Sequence, residues 1–289
     1  MTTALQYGLD TVETGILYSL VACGFYLASV GTRHFAFAAA VAFLVAPYAA
    51  VLFEGTPQRC AAAVVGVALC AGLGVAYRSV AAALSRRGSR EGQLLIVSLA
   101  VMAIGWNLVA AVFGSESQTL TPSAVAAVHI IGVRVPLMQV VVVIVGGLCL
   151  AFLLYAWRSS LVGLTLRALL ESRLNLALRG IPVAYVEATA AAAGFATIAI
   201  SGLLWATDGR IKPAMCTEIG VIGAVAYIIG SIVRPGPSGL ILAGFGLAVV
   251  RAGLSFTLEG DWAMTAMLVV LAGALLFRGR RPIRSGPES

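Results

Sequence analysis

Residues 135–157 read VPLMQVVVVIVGGLCLAFLLYAW, 23 positions without an aspartate, glutamate, lysine or arginine. At 1.5 Å per residue a helix of that length covers about 34 Å, enough to cross a hydrocarbon core of ~30 Å. A strand of a membrane barrel would alternate apolar and polar residues over about ten positions, and this run is continuously apolar. The pattern recurs along the chain. Further runs free of charged residues lie at 14–32, 34–53, 60–77, 92–115, 117–133, 188–207, 219–233, 235–250 and 262–277. The run 117–133 contains Ser117, Gln118, Thr119, Thr121, Pro122, Ser123 and His129 and reads as an extramembrane excursion. The expectation is an all-α, polytopic helical membrane protein with about nine spans, within a range of eight to ten.

Composition agrees. Of 289 residues, 60% are hydrophobic and 11% charged, against roughly 25% charged in an average soluble domain. Mean hydropathy is +0.99. A soluble fold of this length needs a charged surface that 19 basic and 12 acidic residues do not provide. Disorder is excluded by the apolar content, and a collagen-like chain by 32 glycines without a three-residue period. The net charge of +7 comes from 18 arginines and one lysine, Lys212, scattered between apolar runs, so nucleic-acid binding is a poor reading. Cys23, Cys60, Cys70, Cys149 and Cys216 are far apart and read as small apolar residues. Residues 1–10 hold no basic residue, and Asp10 and Glu13 precede the first run, which is therefore expected to stay as a span.

The basic residues orient the chain. With the N-terminus outside and the C-terminus cytoplasmic, Arg33, the 78–90 loop, the 158–182 loop, Arg234 and the tail from Arg278 place 14 basic residues inside. Four fall outside, Arg59, Arg134, Arg210 and Lys212, which satisfies the positive-inside rule. Residues 1–277 then form one transmembrane domain, and 278–289 a short basic cytoplasmic tail. Two neighbouring pairs of runs, 14–32 with 34–53 and 219–233 with 235–250, are divided only by Arg33 and by Arg234-Pro235-Gly236-Pro237. Each pair reads either as a tight cytoplasmic hairpin or as a discontinuous helix beside a transport path.

The 158–182 loop is patterned. Leu166, Leu170, Leu174 and Leu178 recur every four residues, and Arg167, Glu171, Asn175 and Arg179 recur beside them. One helix would carry these as adjacent apolar and polar stripes, with Arg167 and Glu171 close enough to pair. Gly180-Ile181-Pro182 supplies a stop.

At this loop the chain resembles the membrane permeases of branched-chain amino-acid ABC importers, whose loop reads S-x-x-G-x-x-x-R-A-x-x-E and then A-x-L-x-G-I. The matching residues are Ser160, Gly163, Arg167, Ala168, Glu171, Ala177, Leu178, Gly180 and Ile181. Similarity extends in outline along the chain and is strongest over 158–245, through Ser201-Gly202-Leu203-Leu204, Gly209-Arg210-Ile211-Lys212-Pro213, Gly230, Pro235-Gly236 and Gly239-Leu240-Ile241-Leu242. The resemblance implies that the loop enters a cleft of a cytoplasmic ATP-binding subunit, with Gly163, Arg167, Ala168, Glu171, Ala177 and Gly180 as ATPase-coupling positions. It further implies a second homologous permease chain, or a copy of this one, and an extracytoplasmic solute-binding protein. ATP and magnesium would sit on the partner ATPase and no cofactor on this chain. The solute implied is a branched-chain or hydrophobic amino acid or a related small amide. Consistently, the one lysine is followed by Pro213, so no Walker A loop is present. Where the family commonly carries N-F-A-H-G, this chain has His34-Phe35-Ala36-Phe37-Ala38, and a lysine common in the family falls near Ile222. These departures point to a different solute or a diverged partner subunit.

Pathway or helix-break candidates are His34, Phe35, Glu187, Gly220, Gly230, Pro235, Gly236 and Arg251. Glu187 lies shallow in its span, and its carboxylate is expected to snorkel to the interface. Arg251 is deeper, where a lipid-facing charge costs ~2.5–3.5 kcal/mol, so it should face protein or water, with an outer-side carboxylate as one partner. Glu116, Asp208, Glu218, Glu259 and Asp261 read as external, solvated or docking charges, with Asp10 and Glu13 like them. Trp157, Trp205 and Trp262 read as interfacial anchors, and the small-residue runs 188–194 and 220–226 as close-packing surfaces. His34 and His129 have no second ligand at metal spacing. Against an intramembrane enzyme, all three aspartates lie outside the runs and neither histidine belongs to a catalytic pattern. An ion-coupled carrier remains the alternative, with Glu187 as its available carboxylate.

Overall fold

The computed structural model describes residues 2–53, 56–88, 91–118, 127–130, 133–208, 211–234 and 236–257, together with 269 and 273. Its helices are α1 (Thr2–Thr32), α2 (Ala40–Val51), α3 (Thr56–Arg86), α4 (Glu91–Phe113), α5 (Leu137–Ser159), α6 (Leu161–Glu171), α7 (Arg173–Leu178), α8 (Val183–Asp208), α9 (Met215–Val233) and α10 (Pro237–Thr257). A 3-10 turn, Phe37–Ala39, leads into α2. The excursion between α4 and α5 contains a small antiparallel hairpin of β1 (Ala127–Ile130) and β2 (Val133–Pro136), with Ala127 opposite Pro136. Gln118 and Ile211 exchange backbone hydrogen bonds of 2.9 Å and tie that excursion to the α8–α9 connection.

The chain is an all-α multi-pass membrane protein with this one small hairpin added. Seven helices among the described residues are long and apolar enough to cross a bilayer. The count differs from nine for two identifiable reasons. The run 34–53 forms a 15-residue apolar segment, Phe37–Val51, too short to cross unaided. The run 262–277 lies outside the described residues apart from 269 and 273. Conversely, α9 and α10 are longer than their charge-free runs, at 19 and 21 residues. Glu218 sits in the first turn of α9, where a carboxylate complements the helix dipole. Arg251 stays within α10 because it has a partner described below.

Helix α1 is the centre. In its most apolar window 89% of residues are buried, against 17% for α4 and 22% for α5, which present apolar side chains outward as lipid-facing helices do. Helices α8, α9, α10 and α5 surround α1, and α3 packs on α8 and α2. Between α1 and α8 the backbones nearly touch. A Cβ on Gly31 would meet the Glu187 carbonyl at 2.6 Å, and one on Gly194 would meet the Ala28 nitrogen at 2.4 Å. Without a hydrophobic drive between helices in lipid, such close approach is how spans gain dispersion contact. The small-residue run 188–194 is therefore a packing surface.

The two charge-divided pairs differ. Helices α9 and α10 form a hairpin, turned by extended Arg234 and by Gly236 at φ +109° and closed where Gly230 meets the Leu240 backbone. Pro235 lies outside the described residues. The α1–α2 pair is not a hairpin, because α2 leaves α1 and packs on α3 and α8.

Candidate functional site

The patterned loop is two helices rather than one. Ser160 caps α6 by accepting from the Gly163 N–H at 3.0 Å, and Ser172, in extended conformation, ends it and caps α7 by accepting from the Asn175 N–H at 3.3 Å. The break at Ser172 changes the register of the apolar stripe. Leu166, Leu169 and Leu176 are buried against Leu27, Val30, Val186 and Ala190. Leu170, Leu174 and Leu178 are exposed, the last two by 69% and 76%. Arg167 does not reach Glu171 but donates from Nε to the Gly163 carbonyl at 3.3 Å and from Nη2 to the Arg158 carbonyl at 3.2 Å, pinning α6 to the end of α5. Gly163 itself admits no side chain, since a Cβ would lie 2.4 Å from the Ala156 and Trp157 carbonyls. Ala168 is packed at the edge of the buried cluster. Ala177 and Gly180 form the α7 stop, where the Gly180 N–H donates to the Ala177 carbonyl at 3.0 Å and the Ile181 N–H to that of Leu176 at 3.3 Å, with Gly180 at φ +76°.

Glu187 does not snorkel. It is 2% exposed, and its carboxylate joins four elements. Arg33, just past α1, donates to Oε1 from Nη2 at 3.0 Å and Nε at 3.2 Å. Arg78 of α3 donates to Oε2 at 2.7 Å, and Nη1 of Arg173, the first residue of α7, stands 2.7 Å from Oε1. A shallow glutamate can be held this way because three guanidiniums replace the water it would otherwise seek. Arg33 reaches it from a left-handed backbone, φ +70°, rare for a residue other than glycine. The cluster leaves an excess of positive charge, three arginines to one glutamate.

Beside it lies the break between α1 and α2. His34 is buried, with Nδ1 2.9 Å from the Thr32 carbonyl and Nε2 2.7 Å from the Tyr77 hydroxyl. A carbonyl only accepts, so Nδ1 carries a proton and the other ring nitrogen shares a hydrogen bond with the Tyr77 hydroxyl. Ser98 accepts from the Ala38 N–H at 2.9 Å, so α3 and α4 together satisfy the unwound segment. Phe35 packs on Phe25 at 5.2 Å, on Phe37 at 4.6 Å and on Tyr227 at 5.4 Å between ring centroids. A cavity of about 460 Å³ opens here, lined by Tyr26, Ser29, Arg33, Phe35, Arg173 and Tyr227 among others.

The remaining candidates lie elsewhere. Arg251 hydrogen-bonds the Tyr18 hydroxyl and lies over that ring at 5.8 Å, and Glu218 is within its electrostatic reach, so the direct partner is a tyrosine rather than the expected carboxylate. Gly220 is buried on α9 facing Met102, and Gly230 and Gly236 belong to the α9–α10 hairpin. Glu13, read as solvated, is buried, and Asp10 accepts from Gln139 Nε2 at 2.7 Å. Trp205, partly buried near the end of α8, stacks on Tyr18 and meets Phe43 edge-on, while Trp157 packs on Tyr26. Asp261, Glu259 and Trp262 lie outside the described residues. The partners of Glu187 were missed in the sequence, since Arg33, Arg78 and Arg173 lie 154, 109 and 14 positions from it and no periodicity links them. Only the burial cost of a charge inside a span pointed there.

No protein-family model matches the sequence, and neither does any curated protein. Among solved structures, PsaBC from Streptococcus pneumoniae in complex with Fab aligns over 94% of this chain and 90% of that chain, at 17% identity and a TM-score of 0.46.

Proposed function

We propose that this chain is the transmembrane subunit of an ABC importer, with ATP hydrolysed on a separate chain that docks on α6 and α7. The observation that carries the reading is the contact of Arg173 with Glu187 at 2.7 Å, on a carboxylate also held by Arg33 and Arg78. A partner pressing on the exposed Leu170, Leu174 and Leu178 displaces α7, and Arg173 passes that displacement to α8, α1 and α3 beside the α1–α2 break. Packed helices and paired charges shift between discrete arrangements, which suits them to such transmission. The loop residues shared with the permeases of branched-chain amino-acid importers, from Ser160 to Ile181, lie in this same helix pair and its flanks.

In this reading the α6–α7 end is cytoplasmic, the protein resides in the cytoplasmic membrane, and a second permease chain and an extracytoplasmic binding protein complete the importer. The solute is a small amino acid with an apolar side chain or a related amide. The cavity of about 460 Å³ supports that class, because it joins the guanidiniums of Arg33 and Arg173, suited to a carboxylate, to the rings of Phe35, Tyr26 and Tyr227. An ion-coupled carrier is disfavoured because Glu187 is already held by three guanidiniums.

Purification from the native membrane, with co-purifying chains and solute identified by mass spectrometry, tests the reading. An ATP-binding chain is expected with the wild type and is lost from the double variant L174E/L178E, which still inserts. Uptake by the isolated polypeptide without ATP, or retention of the ATPase by that variant, overturns it.

A further inference from the structure

A second cavity, of about 220 Å³, shares Arg33 with the aromatic cavity and lies between the ends of α1, α3 and α8. Its lining is Gly31, Thr32, Arg33, Arg78, Ala82, Ser85, Arg86 and Glu187. Ser85 supplies a hydroxyl, that of Thr32 donates to the Ala28 and His34 carbonyls, and three arginines line the cavity with one carboxylate. Arg78 lines this cavity with its Nη2 bonded to Glu187, and among the described residues its Nε, like Arg173 Nη1, is buried without a hydrogen-bond partner. A buried guanidinium N–H left unpaired is a costly arrangement that an anionic acceptor would relieve.

The depth of the cavity narrows the ligand. Helix α3 has 31 residues and so runs for about 46 Å, beyond a hydrocarbon core of ~30 Å. Ser85 and Arg86 are in its last turn, and Arg33 follows the last residue of α1, so the cavity opens where lipid headgroups lie. Arg86 at a helix C-terminus would complement the dipole on its own. That role does not explain the cavity it lines.

We propose that this cavity binds a phosphate group, either the headgroup phosphate of an anionic phospholipid or free phosphate. The site shares Arg33, Arg78 and Glu187 with the cluster behind the transport reading, but its test positions, Ala82, Arg86 and Arg87, lie outside that cluster, α6, α7 and the aromatic cavity, so the two readings fail separately. A phosphate seated between α1, α3 and α8 offsets the excess positive charge of the cluster and accepts from Arg78, Arg86 and Ser85. The bound group thereby makes the packing of the three helix ends sensitive to its presence.

The test uses the full-length chain in nanodiscs of mixed phosphatidylglycerol and phosphatidylcholine, with retained lipid counted by native mass spectrometry. R86Q is expected to weaken phosphatidylglycerol retention about five-fold, and A82L, which fills the cavity at unchanged charge, to weaken it at least as much. R87Q removes an equal charge one residue further on and should leave retention unaltered. Inorganic phosphate added at millimolar concentration distinguishes the sources. If it competes and phosphatidylglycerol shows no preference over phosphatidylcholine, free phosphate is the ligand and the site stands. If neither lipid preference nor phosphate binding responds to R86Q and A82L, or if R87Q acts equally, the site does not exist.

Discussion

At the scale of single residues, the decisive group is the Glu187 carboxylate. The carboxylate itself is buried, so removing it leaves Arg78, whose side chain is 16% exposed, without a counter-charge. Breaking one side of a buried pair costs about 3–5 kcal/mol, whereas exposed pairs contribute about 0–1 kcal/mol. E187A should therefore lower the thermal unfolding midpoint of the purified chain far more than R33A, whose side chain is 55% exposed. R78A, with a side chain 16% exposed, should fall nearer E187A. Equal midpoints for E187A and R33A in a thermal shift assay would show that the cluster is solvated and not a structural hub. Arg33 adds a second effect, since its left-handed backbone would be relaxed by glycine while its ion pair was lost. His34 shows why a residue type alone was ambiguous: its ring bridges Thr32 and Tyr77, a hydrogen-bonding role that spacing does not encode.

At the scale of elements, contact between helices depends on where a side chain is absent. Gly202 of α8 faces the Phe43 backbone of α2, where a Cβ would lie 2.1 Å from the carbonyl oxygen. Backbone cannot move aside as a flexible side-chain tip can, so G202A forces α2 off α8. The expected loss is about 1–3 kcal/mol or more, with lower yield of folded protein by fluorescence-detected size-exclusion chromatography. G147A is the control, because no atom lies within 4 Å of its added Cβ, and it should behave as wild type. If G202A is equally well folded, α2 does not pack where described. The same reasoning explains α6 and α7. The four-residue leucine spacing was legible and so was the Gly180 stop. The split at Ser172 was not, because a serine within an apolar period is a weak signal until its hydroxyl is seen to cap the next helix.

At the scale of the whole molecule, the distribution of charge sets which end faces the cytoplasm in the proposed importer. Basic residues gather at the α6–α7 end, and the positive-inside pattern predicts that this end is cytoplasmic. A membrane-impermeant maleimide tests this in intact cells. A cysteine at the exposed Glu116 position should be labelled from outside, and one at the Arg179 position only after the membrane is opened. The endogenous cysteines are first replaced by alanine. The reverse pattern would invert the topology and move the α6–α7 pair away from any cytoplasmic ATPase. Placement of α1 at the centre also has a consequence, since α1 supplies the packing surface for α8, α9 and α10 together.

The amino-acid sequence alone determined the solvent, the helical class and the approximate places of the spans. Long uncharged runs have one stable form in lipid, because every backbone group must be satisfied within its own segment. It also marked the patterned loop and the break near His34. Tertiary structure alone decided that 34–53 is a short buried helix, that Glu187 is shared by Arg33, Arg78 and Arg173, and that Arg251 turns to Tyr18. The physical reason is the range of the forces. Backbone satisfaction and hydropathy act within a segment and are written into it. Charge pairing and steric fit depend on which distant segments meet.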